Sequence, residues 1–417
     1  MAYLTVSTQA DIVDPGDGKL SLREAVAQAN AGAGADTIRF TAAVAGRRLV
    51  LTGGELKVTN SVVIDGSGGG APTTVDADEA SRVLSIAGKG TQARLNGLVL
   101  TNGRTGGQPG GGIALTGGAA LTLTDCSVTA NDTRDPDDDS SGGNGGGIYA
   151  GPQSALTIRR STISDNVTGG YYGGGNGGGV AAGANGRVSV ADSEISGNYA
   201  EYGGGINLAD GGAATIERTA ITANAAKGFR YKGGGGGIHL TGSTASVAAS
   251  NVSRNFGYGS GGGGIFAQAS TLSLSNTTVA DNATGKHYGP VPGGGVKFGG
   301  SASFVGCTIT GNLIPDASGY DYGTGGGIAG SGTLVVANTI VAGNFQARGS
   351  AGFADDLAGT ITLSNGHNVF GSTVKGSIAG DREKVAAGAV FAALDANGGG
   401  RLDARGVAPL KDALSNP

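Results

Sequence analysis

Residues 145–166 read GGGIYAGPQSALTIRRSTISDN. Three glycines lead into Ile148, and Asn166 follows 18 residues after it. The same pattern occurs eight times between residues 110 and 330. Its apolar anchors are Ile113, Ile148, Val180, Ile206, Ile238, Ile265, Val296 and Ile328. Its asparagines are Asn131, Asn166, Asn198, Asn224, Asn255, Asn282, Asn312 and Asn344. From anchor to Asn the spans are 18, 18, 18, 18, 17, 17, 16 and 16 residues. From each Asn to the next anchor they are 17, 14, 8, 14, 10, 14 and 16. One half of the repeat is held and the other is elastic, and the elastic half is where function can be installed.

A period of about thirty residues over most of a chain signals a solenoid. Within each constant half apolar residues alternate with Thr and Ser, as in Leu121/Leu123, Leu156/Ile158, Val188/Val190 and Leu272/Leu274. Period-two alternation in short runs reads as strand. The 86 glycines are clustered without a triplet period, so they mark turns and not a collagen helix. The expected fold is all-β, a single-stranded right-handed parallel β-helix. Residues 19–30 hold the one good helix signal: Ser21 and Glu24 make a capping box, and Leu22, Ala25, Val26 and Ala29 make an apolar stripe. A solenoid needs its open end covered, so this helix is read as an N-terminal cap. The expected organisation is one domain over 1–417, with a cap at 1–44 (helix near 21–30), coils at 45–371 and a closing segment at 372–417. That segment's end is compatible with continuation into a longer chain.

Net charge is −4 with 14% charged residues, which suggests no nucleic-acid partner. No stretch is long and apolar enough to span a bilayer. Cys126 and Cys307 occupy one column of small residues six coils apart, roughly 29 Å at ~4.8 Å per strand, beyond disulfide reach.

The stretch SLREAVAQAN, then DTIRF and LVLTGGELKVTNSVVIDG, resembles the N-terminal cap and first coils of bacterial extracellular β-helix proteins of the CSLREA type, in the pectate-lyase-like superfamily. Leu20 stands where that family usually has Cys. DDLAGTITLSNGHNVFG (355–371) and DANGGGRL resemble its closing coil and tail. The resemblance implies the fold and a secreted or cell-surface setting. For activity it implies little, because the group spans adhesins, autotransporter-like passengers and polysaccharide-active proteins.

The elastic segments carry nine of the eleven tyrosines: Tyr171, Tyr172, Tyr199, Tyr202, Tyr231, Tyr258, Tyr288, Tyr320 and Tyr322, joined by Phe229 and Phe256. Aromatic rings suit stacking on sugar faces, and Tyr adds a hydroxyl. The alternative is rings that pack on one another and stiffen glycine-rich loops. Between 224 and 297 Lys227, Arg230, Lys232, Arg254, Lys286 and Lys297 face a single acid, Asp281, a local charge of 6 − 1 = +5. Such a strip attracts anions, or is simply a solvated surface. The residue after each anchor points outward by alternation. That column reads Ala114, Tyr149, Ala181, Asn207, His239, Phe266, Lys297, Ala329. Its large members coincide with the tyrosine-rich, basic loops.

These residue types suit β-elimination on a uronate polymer. A cation offsets the sugar carboxylate, a base removes the neighbouring proton as the bond to the leaving oxygen breaks, and an acid protonates that oxygen. The catalytic candidates are Arg230 and Lys297 for charge, and His239 and Tyr231, or Tyr202, for proton transfer. Tyr172, Tyr202, Asn207, Tyr258, Phe266, His287, Tyr288 and Tyr322 are candidates for substrate binding. A glycoside hydrolase fits less well, since it wants two carboxylates and the strip offers Asp281 with Glu201, Asp210 and Asp321 at its margins. No cofactor is required. Calcium is a candidate ion for the loop with Asp132, Asp135, Asp137, Asp138 and Asp139, whereas DANGGGRLDARG lacks the ligands of a calcium loop. The expected partner is an anionic polysaccharide, with an adhesin or passenger module of a larger secreted protein as the non-catalytic alternative. The sequence leaves the oligomeric state open.

Overall fold

The computed structural model describes residues 2–135, 137, 142–169, 174–228, 233–285, 291–315, 323–348, 351–376 and 380–385. Among the described residues short strands stack into three sheets of 22, 12 and 7 strands, parallel except that the third, which begins at Tyr199, ends in the antiparallel pair Phe345–Arg348 with Ala351–Ala354. The coil quoted above supplies Ile148–Ala150 and Ala155–Arg159 to the first sheet and Thr162–Ser164 to the second. Its anchor Ile148 lies between Ile113 and Val180 of the neighbouring coils. Stacking begins at Tyr3–Val6 on Asp36–Phe40 and reaches a bridge between Val369 and Arg382. The alternation sorts the faces: Ile148, Leu156, Ile158 and Ile163 are at most 1% exposed, while Thr157 and Thr162 face outward half-buried. Each fully buried Leu or Ile contributes about 1.5–3 kcal/mol, which offsets the ordering of a narrow coil.

The glycines and the asparagine turn out to be two sides of one contact. Gly145 has φ +72°, and a Cβ there would overlap the carbonyl oxygen of Ile148. The first glycine of all eight triplets is in the same situation, which only glycine tolerates without strain. At Gly147, a Cβ would lie 2.7 Å from the Gly179 oxygen of the next coil and 2.9 Å from the Asn166 side chain. The third glycine of every triplet meets its own coil's Asn in this way. The asparagine therefore fills the space that the glycine leaves.

Each Asn then binds its neighbours along the rod. Asn166 Oδ1 accepts from the Asn131 backbone N–H (3.1 Å) and from Asn131 Nδ2 (2.9 Å). Its own Nδ2 donates to Val128 O (2.9 Å) and Asn198 Oδ1 (3.0 Å). The ladder passes unbroken to Asn344, whose N–H and Nδ2 donate to Asp356 Oδ1 at 3.0 and 2.9 Å. All eight side chains are buried. At the ladder's end, burial pushes the Asp356 carboxyl pKa up, against hydrogen bonds from Asn344 and Ser372 that lower it.

The helix spans Leu22–Ala31 and its capping box is present: Ser21 Oγ accepts from Glu24 N at 3.1 Å, and Glu24 Oε2 accepts from Ser21 N at 2.9 Å. Leu22, Ala25, Val26 and Ala29 join the same core as Val6, Ile38 and Leu56, so the helix covers the open end of the first coils. Arg23 fixes it by a two-pronged pair with Asp11 (2.8 and 2.7 Å) and a bond to Gly54 O. Cys126 and Cys307 are buried free thiols in a column of small residues. Several backbone N–H groups there donate to the next coil's hydroxyl, as Cys126 does to Ser161 (3.0 Å) and Cys307 to Thr339 (3.3 Å).

The shared contact predicts a non-additive mutant pair. Gly237→Ala places a methyl 3.1 Å from the Asn255 side chain and 2.8 Å from Gly264 O, and overpacking of this kind costs about 1–3 kcal/mol. Asn255→Ala strands the buried partners of four hydrogen bonds and costs about 3 kcal/mol or more. In urea unfolding the double variant is expected to lose less than the sum by about 1 kcal/mol, because the second change vacates the space the first invades.

Candidate functional site

The outward column is a single register line. Ala114, Tyr149, Ala181, Asn207, His239, Phe266, Lys297 and Ala329 pair coil by coil in that order. These side chains point away from the core, but most of them do not reach solvent. Asn207, His239 and Phe266 are 6, 8 and 6% exposed, and none belongs to the inner core. The elastic segments fold back over the column: Gly261 approaches the Lys297 side chain and Gly234 the Phe266 ring. Alternation sets direction, while coverage depends on the loops, and this is why the reading of an outward His239 did not anticipate its burial.

His239 sits at the centre of the line. Its Nδ1 is 2.9 Å from Asn207 Oδ1 in the preceding coil. An amide oxygen only accepts, so Nδ1 carries the proton and Nε2 keeps a lone pair. Phe266 of the following coil stacks on the ring at 5.0 Å and 2°, and Tyr202 packs at 5.0 Å and 48°. Burial pulls the imidazole pKa down to about 4, because nothing nearby compensates the charged form. Lys297 extends the stack: Nζ lies 5.3 Å from the Phe266 centroid, a cation–π distance, and donates to Ser260 O at 2.6 Å. Burial lowers its ammonium pKa.

The structure thus brings Tyr202, Asn207, His239, Phe266 and Lys297 into one continuous line of contacts. Tyr258 lies half-buried in the elastic segment that also holds Ser260. Arg230, Tyr231, Tyr172, His287, Tyr288 and Tyr322 lie outside the described residues. Tyr202 has its phenol pKa raised, first by burial and then by Glu201, against the Gly233 amide, the direction opposite to what a tyrosine base needs. Glu201 is itself buried and accepts from Gly174 N at 2.6 Å, and Asp281 has its pKa raised by burial against nearby Arg254. Among the described residues no three His, Cys, Asp or Glu gather around a metal position. Asp132 is held by Arg134 at 2.7 Å, while Asp138 and Asp139 lie outside the description.

One feature escaped the sequence reading. The residue just after each Asn forms a second outward line: Asp132, Val167, Tyr199, Ala225, Phe256, Ala283, Leu313, Phe345. Its signal was available, since it is a fixed offset from the Asn, but these residues were counted as loop and not as strand.

The burial of His239 generates a titration prediction. Its folded pKa lies below the ordinary 6.5, so the unfolded chain binds the proton more readily, and the site's contribution to stability falls as pH drops from 6.5 toward 4. In NMR the His239 ring shifts are expected to stay flat from about pH 8 to 5.5. Phe266→Ala, which opens one face, moves the midpoint up toward the ordinary value. A wild-type midpoint near 6.5 contradicts the closed stack.

No curated protein matches the chain. Among solved structures, the Dettilon tailspike protein is similar at 16% identity and a TM-score of 0.44, over 87% of this chain and 64% of the tailspike chain. The present chain therefore spans less than two thirds of that protein. The periplasmic alginate epimerase AlgG is similar at 11% identity and a TM-score of 0.37, over 88% of this chain and 83% of the other. At this level neither likeness bears on ligand or activity. No helix among the described residues is long and apolar enough to cross a membrane. The family model of the right-handed β-helix region matches residues 49–259, which is half the chain and spans the coils just described, so the protein belongs to the right-handed β-helix family.

Proposed function

We propose that this solenoid binds an anionic polysaccharide along its elastic edge, in a secreted or cell-surface setting of the kind its CSLREA-type ends imply. The observation that carries the reading is the coincidence, on one edge, of half-buried rings and unpaired cations. Tyr199, Tyr202, Phe256 and Tyr258 are half-buried, and Lys227 and Arg254 are exposed beside them. Among the described residues neither cation is held in an ion pair. Rings offer faces to the apolar side of a sugar, and the cations offset carboxylates at long range.

The non-catalytic form is favoured by the closure around His239. A base at 8% exposure with a pKa of about 4 neither reaches a sugar proton without loop movement nor holds it well at neutral pH. The catalytic form, a lyase, would use the free Nε2 of His239 as base, Arg230 or Lys297 to offset the carboxylate and Tyr231 as acid. A glycoside hydrolase is weaker still, given that Glu201 is turned into a backbone hydrogen bond. Calcium remains a candidate bridging ion for the Asp132–Asp139 loop, and the module would serve a larger secreted protein as adhesin or passenger.

The test is a panel of uronate polymers and neutral glucans, with binding and ultraviolet absorbance of unsaturated ends read together. Expected are binding to uronates that weakens with salt, a loss of about tenfold in the Lys227→Glu, Arg254→Glu double variant, and no absorbance. Absorbance that disappears in His239→Ala selects the lyase. Absence of binding across the panel overturns the reading.

A further inference from the structure

Residues 257–264 read GYGSGGGG. Glycines give up more conformational freedom on ordering than any other residue, so a segment of this composition stays in place only where something holds it. Its own backbone supplies part of the hold. Tyr258 N donates to Ala226 O (2.8 Å), Ser260 N to Gly233 O (2.6 Å) and Gly262 N to Pro292 O (3.2 Å). Ser260 sits between Gly259 at φ +71° and Gly261 at φ +91°, each a pivot that a larger residue would stiffen. The remaining hold comes from beneath. Lys297, the neighbour of Phe266 in the outward column, runs under Gly261, where a Cβ would come within 3.3 Å of its Cδ. Its Nζ donates to Ser260 O at 2.6 Å.

The base of this contact is firm, because Lys297 lies over the Phe266 ring and that ring stacks in turn on His239. Burial alone acts on the Lys297 ammonium, with no carboxylate offsetting it, so the Ser260 carbonyl is its polar partner. A hydrogen bond from a charged donor is about twice as strong as one between neutral groups. Resting on the polysaccharide reading above, we infer that Lys297 is a positioning residue of the binding edge: it touches no ligand, and it latches the 258–262 segment so that Tyr258, with Phe256 and Arg254 beside it, stands where a ligand meets it. This differs from the charge-offsetting role of the lyase form, in which the ammonium would leave Ser260 O for a sugar carboxylate. The bland account, in which a lysine merely takes the nearest carbonyl of a segment already ordered, predicts that removing the ammonium changes nothing there.

The experiment is hydrogen exchange on the free full chain, read at single amides by NMR, for the wild type and Lys297→Met. Methionine keeps the length of the side chain and its packing on Phe266 but donates nothing. The Ser260 and Gly262 amides are expected to exchange about tenfold faster or more in the variant. Those of Asn255 and Ile265, bonded to Asn282 Oδ1 and Gly295 O, are expected to keep their rates. Unchanged rates at Ser260 and Gly262 overturn the latch, and so does acceleration shared by Asn255 and Ile265, which marks general loosening. Binding of a uronate polymer to the same pair of proteins separates positioning from contact. Lys297→Met is expected to weaken binding by about fivefold with its salt dependence unchanged, since no charge facing the ligand has gone. A flattened salt dependence places the ammonium on the ligand and overturns the positioning role. A wild type that binds no uronate overturns the polysaccharide reading, and the exchange rates then decide the latch alone.

Discussion

The rest of the molecule depends on the contact between the third glycine of each triplet and the asparagine of the same coil. A Cβ at Gly147 would compete with the Asn166 side chain for one volume, so a larger residue cannot replace the glycine while the asparagine stays. The asparagine stays because it satisfies buried backbone groups that no other partner reaches. Asn166 Oδ1 takes the Asn131 N–H of the coil before, and its Nδ2 gives both to the Val128 carbonyl of that coil and to Asn198 Oδ1 of the coil after. Buried amides left without partners are costly. The ladder therefore converts a loose stack of three-residue strands into a continuous hydrogen-bonded column. Holding the anchor-to-Asn span at 16–18 residues keeps both groups in place from coil to coil.

Once this corner is fixed, the segment after it is free. Nothing in the ladder constrains how many residues intervene before the next triplet, and spans from 8 to 17 occur. Where they are described, these segments leave at the same corner, and at Gly234 and Gly261 they return over the outward column, against Phe266 and Lys297. This explains why a histidine on the outer face of a sheet ends up with a depressed pKa and a lysine ends up donating to a backbone carbonyl. The stack from Tyr202 to Lys297 behaves as an outer spine that supports the loops, and the residues beyond it meet the surroundings.

Most of the scaffold was legible in the sequence because it is periodic. The anchor column, the Asn column and the Ser21–Glu24 box all appear in the structure at the expected residues, since period-two alternation and a fixed offset leave no other register. The eight-residue outward column was legible too, down to its order. Coverage was not. Whether His239 faces solvent depends on where a glycine-rich segment of irregular length returns, and no periodicity encodes that. Tyr199 and Phe256 were legible as aromatics but not as members of a strand line, because two-residue strands carry too little alternation to stand out from loop. Local charge was read by summing a window, which assigns Arg254 and Asp281 equal weight, although one is exposed and the other is partly buried with a raised pKa.

Scaffold and proposed ligand-binding edge are different halves of one repeat. Hydrogen–deuterium exchange with and without a bound uronate polymer tests it most directly. The claim predicts that amides of the Asn ladder and the broad sheet exchange slowly in both states, and that new protection appears in the elastic segments, at 199–205 and 256–264 foremost. Protection that falls instead on the outer Ser and Thr rows of the broad sheet, around Thr215 and Ser246, with the elastic segments unchanged, would contradict it.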